Sequence, residues 1–263
     1  MRRLVAPIVC VGLVVTACSS SRGEGSTPAP REALVVFAAS SLTKAFTKIG
    51  ADFETTNPGV TVSFDFGSSG DLAGQIESEG AADVFASASG TWMDDVATKT
   101  GVSDRANVAT NDLVIITPAS NPAGVSSIED LARPDVSLVL GAKGVPVGDY
   151  ARQALGRAGI AKAAEENVVS NEPDDASVVA KIAGGEADAA VVYTSDVGGG
   201  ATAHVSAVPI PPTLNVIATY PIAVVNGGPN PELARRFVAY ATGAQGQATL
   251  ASFGFKPATG TEA

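Results

Sequence analysis

The chain has 263 residues, 45% of them hydrophobic, and a formal net charge of −10. That length is enough for two lobes with separate cores, and the acidic balance excludes a basic nucleic-acid surface and predicts repulsion from anionic lipid headgroups. Two cysteines and one histidine leave little for a disulfide framework, a metal-ligand cluster or a histidine-based catalytic centre.

Met1-Arg2-Arg3 leads into an uncharged apolar stretch, Leu4 to Val15, and then Thr16-Ala17-Cys18. A basic start, a short apolar core and small residues before the cut describe an export signal over residues 1–17. The stretch falls short of the roughly 20 residues that span a bilayer. Val15-Thr16-Ala17-Cys18 resembles the bacterial lipobox, with valine in place of the commoner leucine. On that reading Cys18 is lipidated and holds the protein at the outer face of the cell membrane; an ordinary signal peptide that contains a cysteine is the alternative. Cys10 leaves with the leader, so the mature protein has no disulfide and no reactive thiol. Residues 18–32 are Ser, Gly, Pro and charge with little to bury, which predicts a flexible tether.

The body that follows, from Ala33 to Pro257, alternates strand and helix patterns. Leu34 to Ala39 is an apolar strand; Leu42, Ala45, Phe46, Ile49 and Phe53 then recur at helical spacing until Asn57-Pro58-Gly59 stops them. Val60 to Gly67 alternates as a second strand, with a helix beginning at Leu72, Gln75 and Ile76. Asp83 to Ala86 is a third strand, followed by a helix around Met93 and Val96. This βαβαβ order predicts a largely parallel sheet covered by helices. Asn111 to Pro118 is a β-branched run with no helix directly after it. A second series comprises strand Val136–Gly141, helix Tyr150–Ala158, strand Asn167–Ser170, helix Asp174–Ala183 and strand Ala189–Tyr193. Val216 to Val225, interrupted by Tyr220-Pro221, leads to a helical region from Pro231 to about Ala251. The expectation is an α/β fold of two lobes, residues 33–112 with 218–257 and residues 113–217. The runs at 111–117 and 216–225 serve as connecting strands, and a tail covers 258–263.

Open α/β sheets bind ligands beyond the carboxyl ends of their strands, and five polar turns lie at such ends. Ser40-Ser41 and Ser68-Ser69 each stand between a strand and a helix, where backbone N–H groups and the helix dipole favour an anion and a hydroxyl adds a donor. Serine is also a common helix cap. Pro146 suits a helix entrance and precedes Val147-Gly148, which offers backbone N–H groups. Asp175 opens another helix, and Tyr193 ends a strand with a phenolic donor.

Phe37-Ala38-Ala39-Ser40-Ser41-Leu42-Thr43, Phe66-Gly67-Ser68-Ser69-Gly70-Asp71-Leu72-Ala73, Ala82 to Ala88 with Trp92-Met93, Val145 to Ala151, Val192 to Asp196 and Tyr220-Pro221-Ile222-Ala223-Val224 together resemble the periplasmic molybdate-binding proteins of ABC transporters. The likeness covers nearly the whole body in the same order. It implies the two-lobed type II periplasmic-binding-protein-like fold with two crossover hinge strands. It also implies an oxyanion held by hydroxyl and backbone donors of Ser41 and Ser69, backbone N–H groups of Val147 and Asp175, and the Tyr193 hydroxyl. The ligand is then molybdate or tungstate, with molybdenum held as its oxyanion rather than as a cation, and there is no cofactor. The partners are an ABC permease with its cytoplasmic ATPase, the protein itself being a monomer that is not an enzyme.

Asp175 departs from the apolar residue of the family pattern. Two unit charges 4 Å apart cost about 4 kcal/mol at an effective dielectric of 20, so its carboxylate is expected to face away and cap its helix. The site is then donor-only and rejects hydrogen phosphate, whose proton would lack an acceptor. A receptor of the same fold for sulfate or a small organic anion is the alternative. A serine hydrolase is remote, because His204 follows a glycine run and neither serine stands in a Gly-x-Ser-x-Gly context.

Overall fold

The computed structural model describes residues 32–80, 82–197 and 204–258. The expected leader, Cys18, all but the end of the tether and most of the tail lie outside the described residues.

The first sheet contains β1 (Glu32–Ala39), β2 (Val60–Gly67), β3 (Val84–Ala86), β4 (Val102–Asn111) and β10 (Ala218–Val225), in the order β2-β1-β3-β10-β4. The second contains β5 (Leu113–Pro118), β6 (Leu138–Gly141), β7 (Val168–Glu172), β8 (Ala189–Tyr193) and β9 (Val205–Pro209), in the order β7-β6-β8-β5-β9. In both, three parallel strands are linked through helices, and two further strands add antiparallel. The sheets are therefore mixed rather than largely parallel, because the strand that returns from the opposite lobe enters each one antiparallel.

The helices of the first lobe are α1 (Thr43–Thr56), α2 (Ser69–Glu79), α3 (Gly90–Lys99), α7 (Pro231–Thr242) and α8 (Ala244–Ser252). Those of the second are α4 (Pro146–Arg157), α5 (Ala161–Glu166) and α6 (Asp175–Ala183). The apolar stripe of α1 is fully buried at Ala45, Phe46 and Ile49. Its aromatic rings meet Phe237 of α7 edge-on, Phe46 at 6.2 Å and Phe53 at 5.3 Å between centroids, an arrangement that suits ring quadrupoles. The single C-terminal helical region expected from Pro231 is two helices, broken at Gly243.

Asp112 alone separates β4 from β5, and Ile210–Ile217 carries the return crossing from β9 to β10. The runs expected as connecting strands are thus β5 and β10 themselves, each inside a sheet. Tyr220-Pro221 does not interrupt β10. Proline has no N–H for the ladder, and the pairing with β4 shifts there, Tyr220 facing Ala109 and Pro221 facing Asn107. The Pro221 carbonyl still accepts from the Ser87 N–H at 2.9 Å.

Candidate functional site

Both serine pairs occupy the switch region of the first sheet, where β1 feeds α1 on one side and β2 feeds α2 on the other. Ser40, Ser41 and Leu42 form a short 3-10 turn, while Ser68 is the extended N-cap residue of α2 and Ser69 its first helical residue. Neither turn has a side-chain cap hydrogen bond, so the capping reading of these hydroxyls does not hold. Ser41 Oγ lies 3.1 Å from Tyr220 Oη. Ser69, 1% exposed, accepts from the Ala88 N–H at 3.0 Å, which leaves its own proton free to donate elsewhere.

In the second lobe α4 begins at Pro146, four residues ahead of the expected Tyr150, because proline is pre-set for the first helical position. Asp149 N–H is bonded back to the Val145 carbonyl at 3.0 Å, and the Val147 N–H, two residues earlier, belongs to the helix-start donors that no intrahelical acceptor reaches. This helix start lies hard against the end of β6. A Cβ on Gly148 would sit 2.2 Å from the Gly141 carbonyl oxygen.

Asp174, not Asp175, caps α6, its Oδ1 accepting from the Ser177 N–H at 2.7 Å. Asp175 instead turns inward, contrary to the expectation from charge. It is 5% exposed, and its carboxylate accepts from Ser40 Oγ of the other lobe. Ser40 therefore does more than shape its turn. The Asp196 carboxyl lines the adjoining space together with that of Asp175, and Asp196 Oδ2 accepts from the Tyr193 N–H at 2.9 Å. Burial raises the Asp175 carboxyl above the ordinary carboxylate value, and burial together with the neighbouring Asp175 charge raises Asp196 well above it. Two carboxyls in such surroundings cannot both ionise cheaply, so burial and mutual repulsion favour a proton shared by the pair.

Tyr193 and Tyr220 are both fully buried, and desolvation pushes both phenols well above their ordinary value. They stay neutral and keep their protons. Among the described residues the Tyr193 hydroxyl has no hydrogen-bond partner, an arrangement that costs about 1–3 kcal/mol unless something else supplies an acceptor.

Ser41, Ser69, Val147, Asp175 and Tyr193 all line one small cavity between the lobes, of about 10 Å³, together with Ser40, Ser68 and Pro146. Among the described residues no lysine or arginine lines it. A larger space of about 290 Å³ adjoins it, sharing Ser40, Ser41 and Asp175 and continuing past Lys44, Asp196, Phe253 and Phe255. The inward Asp175 carboxyl means the cavity is not donor-only, which removes the expected hydrogen-bonding argument against phosphate. His204 is exposed ahead of β9 and does not line the cavity. Among the described residues no group of three or more His, Cys, Asp or Glu is arranged to hold a metal ion, and no helix is long and apolar enough to cross a membrane.

Three supporting residues escape the sequence reading. Tyr220 holds Ser41. Asn111, the last residue of β4 and fully buried, donates to Ser195 Oγ and accepts from Thr194 Oγ1, each at 2.7 Å. Asp196 stands three residues beyond Tyr193 and accepts from its N–H, a spacing that the sequence displays.

Residues 34–256 match the family described as bacterial extracellular solute-binding protein. The chain is 41% identical over 257 residues to the molybdate-binding protein ModA of Mycobacterium tuberculosis, with 96% of this chain and 95% of that protein covered. It is 31% identical over 240 residues to ModA of Escherichia coli, covering 88% and 91%. Among solved structures, the periplasmic molybdate-binding protein of Azotobacter vinelandii superposes with a TM-score of 0.77 at 19% identity, over 86% of this chain and all of that one. The sulfate-binding protein SubI of Mycobacterium tuberculosis gives 0.75 at 16% identity, over 86% and 87%. These two likenesses speak for the two-lobed fold.

Proposed function

The chain belongs to the bacterial extracellular solute-binding proteins, and we propose that it is a receptor that closes its lobes around molybdate and presents it to an ABC importer. Its relatives are solute-binding proteins rather than enzymes. The observation that carries this reading is the Tyr193 hydroxyl, buried without an acceptor among the described residues in a cavity that two helix starts and two serine turns also enter.

In the proposed complex the anion oxygens accept from the hydroxyls of Ser41, Ser69 and Tyr193 and from the N–H groups of Ser41, Ser69, Val147 and Asp175. Without a cation in the cavity, dipoles and neutral donors supply the attraction. Tungstate, of the same charge and shape, is taken as well. The lobes comprise residues 33–112 with 218–257 and residues 113–217. The protein acts as a monomer, tethered through a lipid on Cys18 to the outer face of the membrane, where it meets a permease and its cytoplasmic ATPase.

The deciding measurement is a calorimetric titration with molybdate and tungstate in competition with sulfate, paired with thermal melting. Ligand at 100 times its dissociation constant stabilises by about 2.7 kcal/mol, which raises the midpoint by roughly 5–11 °C for a body of this size. No shift at millimolar molybdate and tungstate rejects the reading. Sulfate displacing both makes this a sulfate receptor.

A further inference from the structure

Once the donors are assigned, Asp175 is left over. A carboxylate beside a bound dianion is unfavourable, and the fold has an outward position at hand, since Asp174 already caps α6 from outside the cavity. Asp175 nevertheless lines the same cavity as the unpartnered Tyr193 hydroxyl. Ser40 reaches it from the other lobe, so its position is fixed from both sides of the cleft.

The groups that face the pair are few. Asp196, which lines the adjoining space with Asp175, acts on it from the turn after β8, Asp174 precedes it on the chain, and Tyr193 and Tyr220 feel its charge from β8 and β10. Lys44 of α1 is the cation that acts on Asp196. It lines the adjoining space rather than the anion cavity, and its attraction is smaller than the opposing effects of burial and of Asp175.

We infer that Asp175, backed by Asp196, is a specificity-determining residue of the anion site: a dianion is captured only by the protonated pair, whose proton is held in the complex between the Asp175 carboxyl and an anion oxygen. The inference rests on the proposed oxyanion function. Where the free pair already holds that proton none is taken up, and at higher pH, where the free pair has lost it, one enters from solvent with each dianion; no covalent bond is made or broken at the anion's central atom, and release returns the anion with any proton taken up. Linkage then sets the sign. A proton taken up on binding makes affinity fall as pH rises, by up to about tenfold per pH unit once the free pair has lost that proton. An anion that arrives with its own proton meets an acceptor in Asp175, so hydrogen phosphate is not excluded by hydrogen-bond chemistry alone.

The test is calorimetric titration of the wild-type chain and of Asp175→Asn with molybdate, between about pH 6.5 and 9, in two buffers of different ionisation heat. The expected result is net proton uptake by the wild type, approaching one per molybdate at the alkaline end, with a rising dissociation constant. Asp175→Asn, confirmed folded by its melting curve, should bind with little uptake and a flat pH profile. Tight binding by the wild type with no uptake and no pH slope overturns the inference while leaving the receptor reading intact. The same holds if Asp175→Asn retains the wild-type slope. Failure to bind molybdate at any pH overturns both. Should the variant not fold, the wild-type proton count decides alone.

Discussion

The ring of Tyr220 packs edge-on against that of Tyr193, centroids 5.8 Å apart, yet of the two hydroxyls only that of Tyr220 has a partner among the described residues. The pair thus separates support from recognition. Tyr193→Phe should weaken molybdate binding by about 1.5–3 kcal/mol, the range for a hydrogen bond to a charged group, while the unliganded protein melts at the same temperature or slightly higher. Tyr220→Phe should lower the unliganded melting temperature as well, since Ser41 loses its partner. Titration and melting of both variants check this, and equal loss of stability in both would contradict it.

The two serines should differ in the same way. Ser41→Ala and Ser69→Ala each remove a donor, for about 1.5–3 kcal/mol of binding. Ser69→Ala also orphans the buried Ala88 N–H, an added stability cost of about 1–3 kcal/mol, whereas after Ser41→Ala the Tyr220 hydroxyl still accepts from Asn111 Nδ2 at 3.5 Å, so the melting point of unliganded Ser69→Ala should be the lower of the two.

Gly148 tests whether the start of α4 must lie against β6. Alanine there places a methyl 2.2 Å from the Gly141 carbonyl oxygen, and relief requires the helix start to move. Overpacking of this kind costs about 1–3 kcal/mol. Gly148→Ala should therefore lower the melting temperature and weaken molybdate binding together, because the Val147 N–H moves with the helix. Retained affinity would show that this amide is not a ligand donor.

The acid pair predicts a pH trend in the unliganded protein. Burial raises both the Asp175 and Asp196 carboxyls above the value of 3.8 for an ordinary aspartate. A group whose folded value is raised contributes stability that is complete below the unfolded value and is lost as pH rises through the folded one. The melting temperature should accordingly decline from about pH 5 towards alkaline pH, and Asp196→Asn should flatten that decline. A wild-type profile unaffected by the substitution would argue against the shared proton.

Where sequence and structure agree, the reason is periodic: β1, β2 and β8 are apolar runs ended by turn chemistry, and helix α1 carries an unbroken buried stripe. The misses have equally local causes. β4 reads Val-Ser-Asp-Arg-Ala-Asn-Val-Ala-Thr-Asn, half-exposed along its first part and with Asp104 at a φ of 53°, so no alternation announces it. β9 and α5 are short. Asp175 was misjudged because charge alone argues for an outward carboxylate; the proton-sharing neighbour that makes the inward position tolerable is 21 positions further along the chain. Ser41, Ser69, Val147 and Tyr193 are legible as candidates because each lies at a junction between a strand and a helical turn. Tyr220, which holds one of them, lies in mid-strand and carries no such mark.

The unequal crossings between the lobes have a consequence for how the chain tolerates change. Asp112 is all that separates β4 from β5. Side chains on a strand alternate faces, so one residue inserted there turns every residue of β5 to the wrong side of its sheet. An insertion at the exposed Pro211-Pro212-Thr213 of the other crossing, which belongs to neither sheet, is absorbed as extra length. A reporter peptide spliced into the long crossing should leave a folded receptor, whereas a single alanine beside Asp112 should leave none.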